Sequence, residues 1–235
     1  MNLLQARELT IKYLEPFLAK NNFSVKLNKS KQATIQRKRA DGFDIMTTRL
    51  LDYNPAYRIE YGFRNINNTV NSIMLQLQSK VKLQYEYDDK SYFVYFAYHT
   101  INNISEVAYL PAMSSEPEVQ ECCNMIIDFM SKTALPLLDK LEDIREIDKI
   151  INGDEPWDDD WRKPFGIGNN FGYYRLIVAK LAGNPNFDEL VDLNYKQREA
   201  LSAKNGYPYT YERSNLNKPL PALIEILKSV EPLYG

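Results

Sequence analysis

Between Phe23 and Tyr98 the apolar residues of this chain alternate with polar ones, and on either side they recur every three or four positions. A chain that changes period twice in this way builds a sheet in one stretch and helices in the others, not a parallel βαβ array. Phe23, Val25 and Leu27 alternate with Ser24, Lys26 and Asn28, and Ala33 and Ile35 with Thr34, Gln36 and Lys38. Asp41-Gly42 then reads as a tight antiparallel turn. Tyr57, Ile59, Tyr61 and Phe63 oppose Arg58, Glu60 and Arg64. Ile73, Leu75, Leu77, Val81, Leu83, Tyr85 and Tyr87 hold odd positions with polar residues or Met74 between them, which predicts further strands with one wet face. Ser91 to Tyr98 is apolar on both faces and predicts a central, doubly covered strand.

The flanks read as helices. Leu3 to about Ala19 carries a broad apolar face, and Pro16 is expected to bend or interrupt it. Ser115-Glu116-Pro117-Glu118 combines a Ser cap, a first-turn proline and a Glu three residues on, a helix-start signature. Val119, Cys122, Cys123, Ile126, Ile127 and Met130 follow at helical steps; Leu137 to Ile151 continues the pattern behind Pro136, and Gly153 ends it. Three more helical patterns cover Tyr173 to Ala182, Phe187 to about Lys204, and Pro219 to about Val230.

The expected fold is therefore α+β: an N-terminal helix, an antiparallel meander of about five to six strands, then C-terminal helices packed on the sheet. The domain reading is an α+β body over 1–152 with a helical extension over 153–235 packed on it, or one domain over 1–235. The roughly 80 residues after Gly153 are few for a core of their own.

Charge is nearly balanced overall, at −2, but unevenly placed: residues 1–110 hold 15 basic and 10 acidic side chains, the remainder 14 and 21. Such a split can orient an approaching partner. Charges at Arg7 and Glu8 leave no room for a signal-peptide apolar region, and no run is long enough to span a membrane, so a cytoplasmic protein without membrane contact is expected. The two cysteines, Cys122 and Cys123, are adjacent and on the apolar stripe of their own helix, which predicts buried core thiols in a reducing compartment.

No cofactor, metal or catalytic set is expected. The single histidine, His99, has no second histidine with which to share a metal; as a general base it would have only distant carboxylates, and a polar strand end is the plainer reading. Gly166 to Gly172 lacks the Gly-Lys-Ser/Thr ending and the spacing of a phosphate loop. Three aspartates in a row do not supply the alternating ligands and turn glycine of a calcium loop.

Two surface segments carry the functional expectations. Trp157, Asp158, Asp159, Asp160 and Trp161 join two large amphipathic anchors to a carboxylate cluster, a composition suited to a protein partner with a basic surface. Its plainer alternative is a solvated loop whose rings pack back on the body. Lys26, Lys29, Lys31, Arg37, Lys38 and Arg39 form an acid-free basic stretch that could contact the phosphates of a nucleic acid, or could simply protect an exposed sheet edge. The Tyr207-Pro208-Tyr209 segment, in a chain with 17 tyrosines, leaves room for an aromatic cleft and a hydrolase-type enzyme with a carboxylate base.

The order of helix, Asn22-Phe23, basic meander ending near Arg39, second meander and long charged helix resembles bacterial α+β proteins of the immunity type over about the first 150 residues. The resemblance implies protein binding and transfers no functional residue. The expectation is a non-enzymatic protein-binding module, with nucleic-acid association through the basic meander as the alternative.

Overall fold

The computed structural model describes residues 1–29, 32–53, 55–83, 94–97, 110–153, 171–203 and 218–234. These fall into two compact units. The first comprises the described residues of Met1–Ile66 and Val94–Glu142; the second comprises residues 67–83, 143–153, 171–203 and 218–234.

The first unit opens with helix α1, Leu3–Lys20, whose N-cap Asn2 forms a reciprocal capping box with Gln5. Pro16 does not interrupt it. The missing amide leaves the Lys12 carbonyl without its helical partner, but Lys12 and Pro16 both lie on the exposed side, where water can serve that oxygen. Ala6, Thr10, Ile11, Leu14 and Leu18 form the buried face. The helix is capped by Asn21, and the next residue, Asn22, takes a left-handed φ of 63°.

Strands β1 (Phe23–Leu27), β2 (Ala33–Arg39), β3 (Gly42–Asp52) and β4 (Tyr57–Asn67) follow as an antiparallel meander. In the β2–β3 hairpin Arg39 pairs with Gly42, so the two-residue loop is Ala40-Asp41, and Gly42 supplies the φ of 131° that a side chain would resist. A four-residue strand β5, Val94–Ala97, pairs with β4 and stands at the end of the order β1-β2-β3-β4-β5. Among the described residues it is an edge strand and not the central strand expected from its two apolar faces. The inward residues Ile35, Met46, Ile59 and Phe63 are buried, and the Tyr61 and Phe63 rings meet Phe129 at 5.8 and 6.1 Å.

Phe129 closes helix α3, Glu116–Phe129, which packs along α1. The expected start holds: Glu118 accepts from the backbone amides and hydroxyls of both Ser114 and Ser115 at 2.7 to 2.9 Å. A π turn, Met130–Ala134, joins α3 to α4, Leu135–Lys140. The expected single helix over 137–151 is two: the chain breaks after Leu141, and Asp143 caps a new helix, α5, Ile144–Asn152. Gly153 follows α5 in extended backbone, at a position where a Cβ would overlap the Lys149 carbonyl oxygen and only glycine fits.

The largest departure lies in the second unit. Residues expected as a strand from Ile73 onward form helix α2, Asn68–Lys80, so the consecutive meander stops at four strands instead of continuing to five or six. The buried set is Val70, Ile73, Met74 and Leu77, an i, i+3, i+4, i+7 pattern, while Leu75 is exposed. Asn67, the last residue of β4, accepts from the Val70 amide and caps it. The second half of that expected alternation, residues 84–87, lies outside the described residues.

Helix α6, Phe171–Ala182, is the hub of the second unit. Tyr173, Tyr174, Leu176, Ile177, Val178, Ala179 and Leu181 are all buried, and α2, α5, α7 (Phe187–Ala203) and α8 (Pro219–Lys228) pack around it. A helix apolar on nearly every side must be enclosed in this way.

Candidate functional site

The β2 residues Arg37 and Arg39 share the parity of Ile35, so both guanidiniums point to the inner face of the sheet. The hairpin register sets Arg37 opposite Asp44, which has no exposed surface. Asp44 Oδ2 accepts from Arg37 Nε at 2.9 Å and from Arg39 Nε at 2.6 Å, and Oδ1 accepts from the Asn65 amide at 3.2 Å. The same arginines reach past the sheet: Asp139 Oδ1 accepts from Arg37 at 3.0 Å and Arg39 at 2.6 Å, and Glu142 from Arg39 at 3.2 Å. The Arg37 guanidinium also lies 5.1 Å from the Phe23 ring centre. Both Asp44 oxygens are engaged by donors, which makes this carboxylate a strut between strands rather than a proton acceptor for a substrate.

The basic stretch therefore divides by parity. Lys26 and Lys38 fall on the opposite, outer face and are exposed, as is Lys29 beyond the end of β1. Lys31 lies outside the described residues. The registers order the outer face in rows: Lys38 beside Phe43, then Ser24, Gln36 and Ile45, then Lys26 beside Thr34, with Arg49 farther along β3. Phe43 and Ile45 are half-buried, and Arg49 is exposed. No acidic residue has this parity on β1, β2 or β3. Lys26, Lys38 and Arg49 make no ion pair among the described residues.

Cys122 and Cys123 are buried as expected. Burial, reinforced by the charges of Glu121 and Glu118, pushes the Cys122 thiol up to about 11; burial and the neighbouring Cys122 push Cys123 up to about 12. Their sulfurs approach the Pro111 and Thr10 carbonyls at 3.5 and 3.7 Å. Thiols held protonated in this way are packing groups, not nucleophiles.

A second polar cluster joins α5 to α6. Asp148 accepts from Asn152 and Asn184, each at 2.7 Å, while Asn152 accepts from Arg175 Nε at 2.6 Å and donates to the Arg175 carbonyl at 3.2 Å. Arg175 is 3% exposed; burial pulls its pKa down and Asp148 opposes that pull. This cluster has no counterpart in the sequence reading. Its signal was Arg175 in the middle of an apolar run, Tyr173 to Ala179, where a charge must find partners.

Trp157, Asp158, Asp159, Asp160 and Trp161 lie outside the described residues, as do His99, Gly166 to Asn170 and the Tyr207 segment. Gly172 is described, and its carbonyl accepts from Asn194 at 3.1 Å. Among the described residues no three His, Cys, Asp or Glu side chains are grouped to hold a metal ion, and no helix is long and apolar enough to cross a membrane. No protein-family model, curated protein or solved structure matches the chain.

Proposed function

We propose that this chain is a non-enzymatic, cytoplasmic protein-binding module of the immunity type, and that Trp157, Asp158, Asp159, Asp160 and Trp161 engage a protein partner with a basic surface. The observation that carries this reading is the composition of that block, two tryptophans enclosing three consecutive aspartates. Tryptophan is the residue most enriched at interface hot spots, and clustered carboxylates accelerate encounter with a basic surface. Supporting it, the buried reactive groups described above have internal duties: Asp44 ties two arginines, and both cysteines are held as thiols.

The test is capture of partners on the tagged full-length chain from extract of its source cells, with nuclease present. A stoichiometric protein retained by the natural chain and lost by Trp157→Ala/Trp161→Ala supports the reading, provided both chains melt alike. Equal retention by both removes this block from the function.

A further inference from the structure

We propose that the outer face of strands β1–β3 is a docking surface for single-stranded nucleic acid, with Lys26, Lys38 and Arg49 as phosphate contacts and Phe43 as a stacking platform. This goes beyond the protein-binding reading and uses residues remote in sequence from Trp157 and Trp161. It also differs from the residue set suggested by the basic stretch alone. Arg37 and Arg39 are removed, because Asp44, Asp139 and Glu142 hold them on the inner face. Arg49 is added, because its parity on β3 is that of Phe43 and Ile45.

Three features favour this occupant. The cations are exposed and carry no ion pairs among the described residues, and the face has no acidic residue on β1–β3; on the adjoining β4 its one acid, Glu60, stands between Arg58 and Arg64, so a polyanion meets net attraction. They are spread out rather than clustered: Lys38 lies beside Phe43, Lys26 two rows on, and Arg49 six residues along β3 from Phe43, a span of about 20 Å at strand rise. That spacing suits a ligand that repeats its charge along an extended backbone. Between them the face offers a half-exposed aromatic ring and the small polar side chains of Ser24, Thr34 and Gln36, the mixture on which bases stack without sequence preference. An acidic protein partner would instead want large apolar anchors, and the face has no Trp or Tyr on β1–β3.

The experiment is fluorescence anisotropy with the full chain and labelled single strands of about 15 nucleotides, oligo-dT and oligo-rU in separate arms, from about 50 to about 200 mM salt. Three phosphate contacts predict a log–log salt slope of about −2. Lys26→Gln/Lys38→Gln/Arg49→Gln should weaken binding at least about tenfold at the low-salt end and flatten that slope. Phe43→Leu should weaken binding up to about tenfold and leave the slope unchanged, since it removes stacking and no charge. Lys38→Arg should bind as the natural chain does. Lys132→Gln/Lys228→Gln removes exposed cations from elsewhere and should change little. The proposal fails if neither oligonucleotide binds at low salt, if the control double variant loses as much as the triple, or if a poly-glutamate peptide competes as well as the oligonucleotide. Because Trp157 and Trp161 are intact throughout, failure here leaves the protein-capture result standing on its own.

Discussion

Arg39 Nε donates to Asp44 Oδ2 at 2.6 Å, joining the last residue of β2 to the third residue of β3 beneath a carboxylate that water does not reach. Arg37 shares that oxygen, so Asp44 balances two guanidiniums whose side chains are 10% and 13% exposed. Asp44→Asn should cost about 3–5 kcal/mol, because removing one member of a buried charge set leaves the others uncompensated. Glu142→Ala, which takes away only a carboxylate 45% exposed, should cost under about 1 kcal/mol. Urea unfolding of the two variants measures the contrast; equal losses would mean that Asp44 is not the centre of the network.

The Glu118 carboxyl is held down to about 2 by the Ser114 amide and hydroxyl, then by the Ser115 hydroxyl and amide. Its ordinary value is 4.5, so the unfolded chain binds the proton more readily. The stabilisation is complete above about pH 5 and is lost as pH falls from 4.5 toward 2. The urea midpoints of the natural chain and Glu118→Gln should differ by a constant amount at neutral pH and converge through that acid window. A gap independent of pH would show that the carboxylate charge is not what the serines bind.

Cys122 and Cys123 should resist alkylation by iodoacetamide in the folded protein at mildly alkaline pH, since thiols pushed to about 11 and about 12 offer little thiolate there and are buried besides. Both should react at once in denaturant. Intact-mass measurement counts the adducts, and rapid native labelling would mean that the cover opens over Cys122, beside Pro111, or over Cys123, beside Thr10 of α1.

Asp148 is a carboxylate that offsets the buried Arg175 charge within the second unit, and it does so while tying Asn152 and Asn184. Asp148→Ala should destabilise by about 3 kcal/mol. Adding Arg175→Met should recover part of that loss, because it deletes the charge left behind and keeps the volume. A double variant no better than the single would show that Asp148 acts through the two asparagines alone.

The helices outside the sheet were legible because their ends carry local signals: the Ser115 cap, the Gly153 stop and the apolar steps from Tyr173 to Ala182. Helix α2 was misread for an instructive reason. Ile73 and Leu77 satisfy both an alternating and a helical pattern, Leu75 fits only the alternation and is exposed, and the deciding residues are Val70 and Met74, buried on the helical face. Leu, Met, Gln and Lys also prefer helix, and Ile73 is the one β-branched residue after Val70 in α2. On the sheet, the inward parity of Arg37 and Arg39 could be read from Ile35 beside them, as could their nearness to Asp44 once the hairpin loop was placed. Asp139 and Glu142 could not, because they meet these arginines from about a hundred residues away and no local pattern connects them.

The π turn at Met130–Ala134 closes through the Leu135 amide and the Met130 carbonyl, one residue wider than an α-turn. It acts as a phase shifter. Everything after it, including buried Leu138 and the arginine partner Asp139, is rotated by about 100° from where an unbroken α-helix would carry it. Deleting one of these five residues would relax the turn to α geometry and leave Leu138 and Asp139 facing as they do, whereas inserting one residue into the regular helix α4 ahead of Leu138 would turn Leu138 out of the core and swing Asp139 off both guanidiniums. This segment absorbs one residue more than a regular helix has room for, and by taking up that excess it keeps the arginine network on the sheet supplied with Asp139.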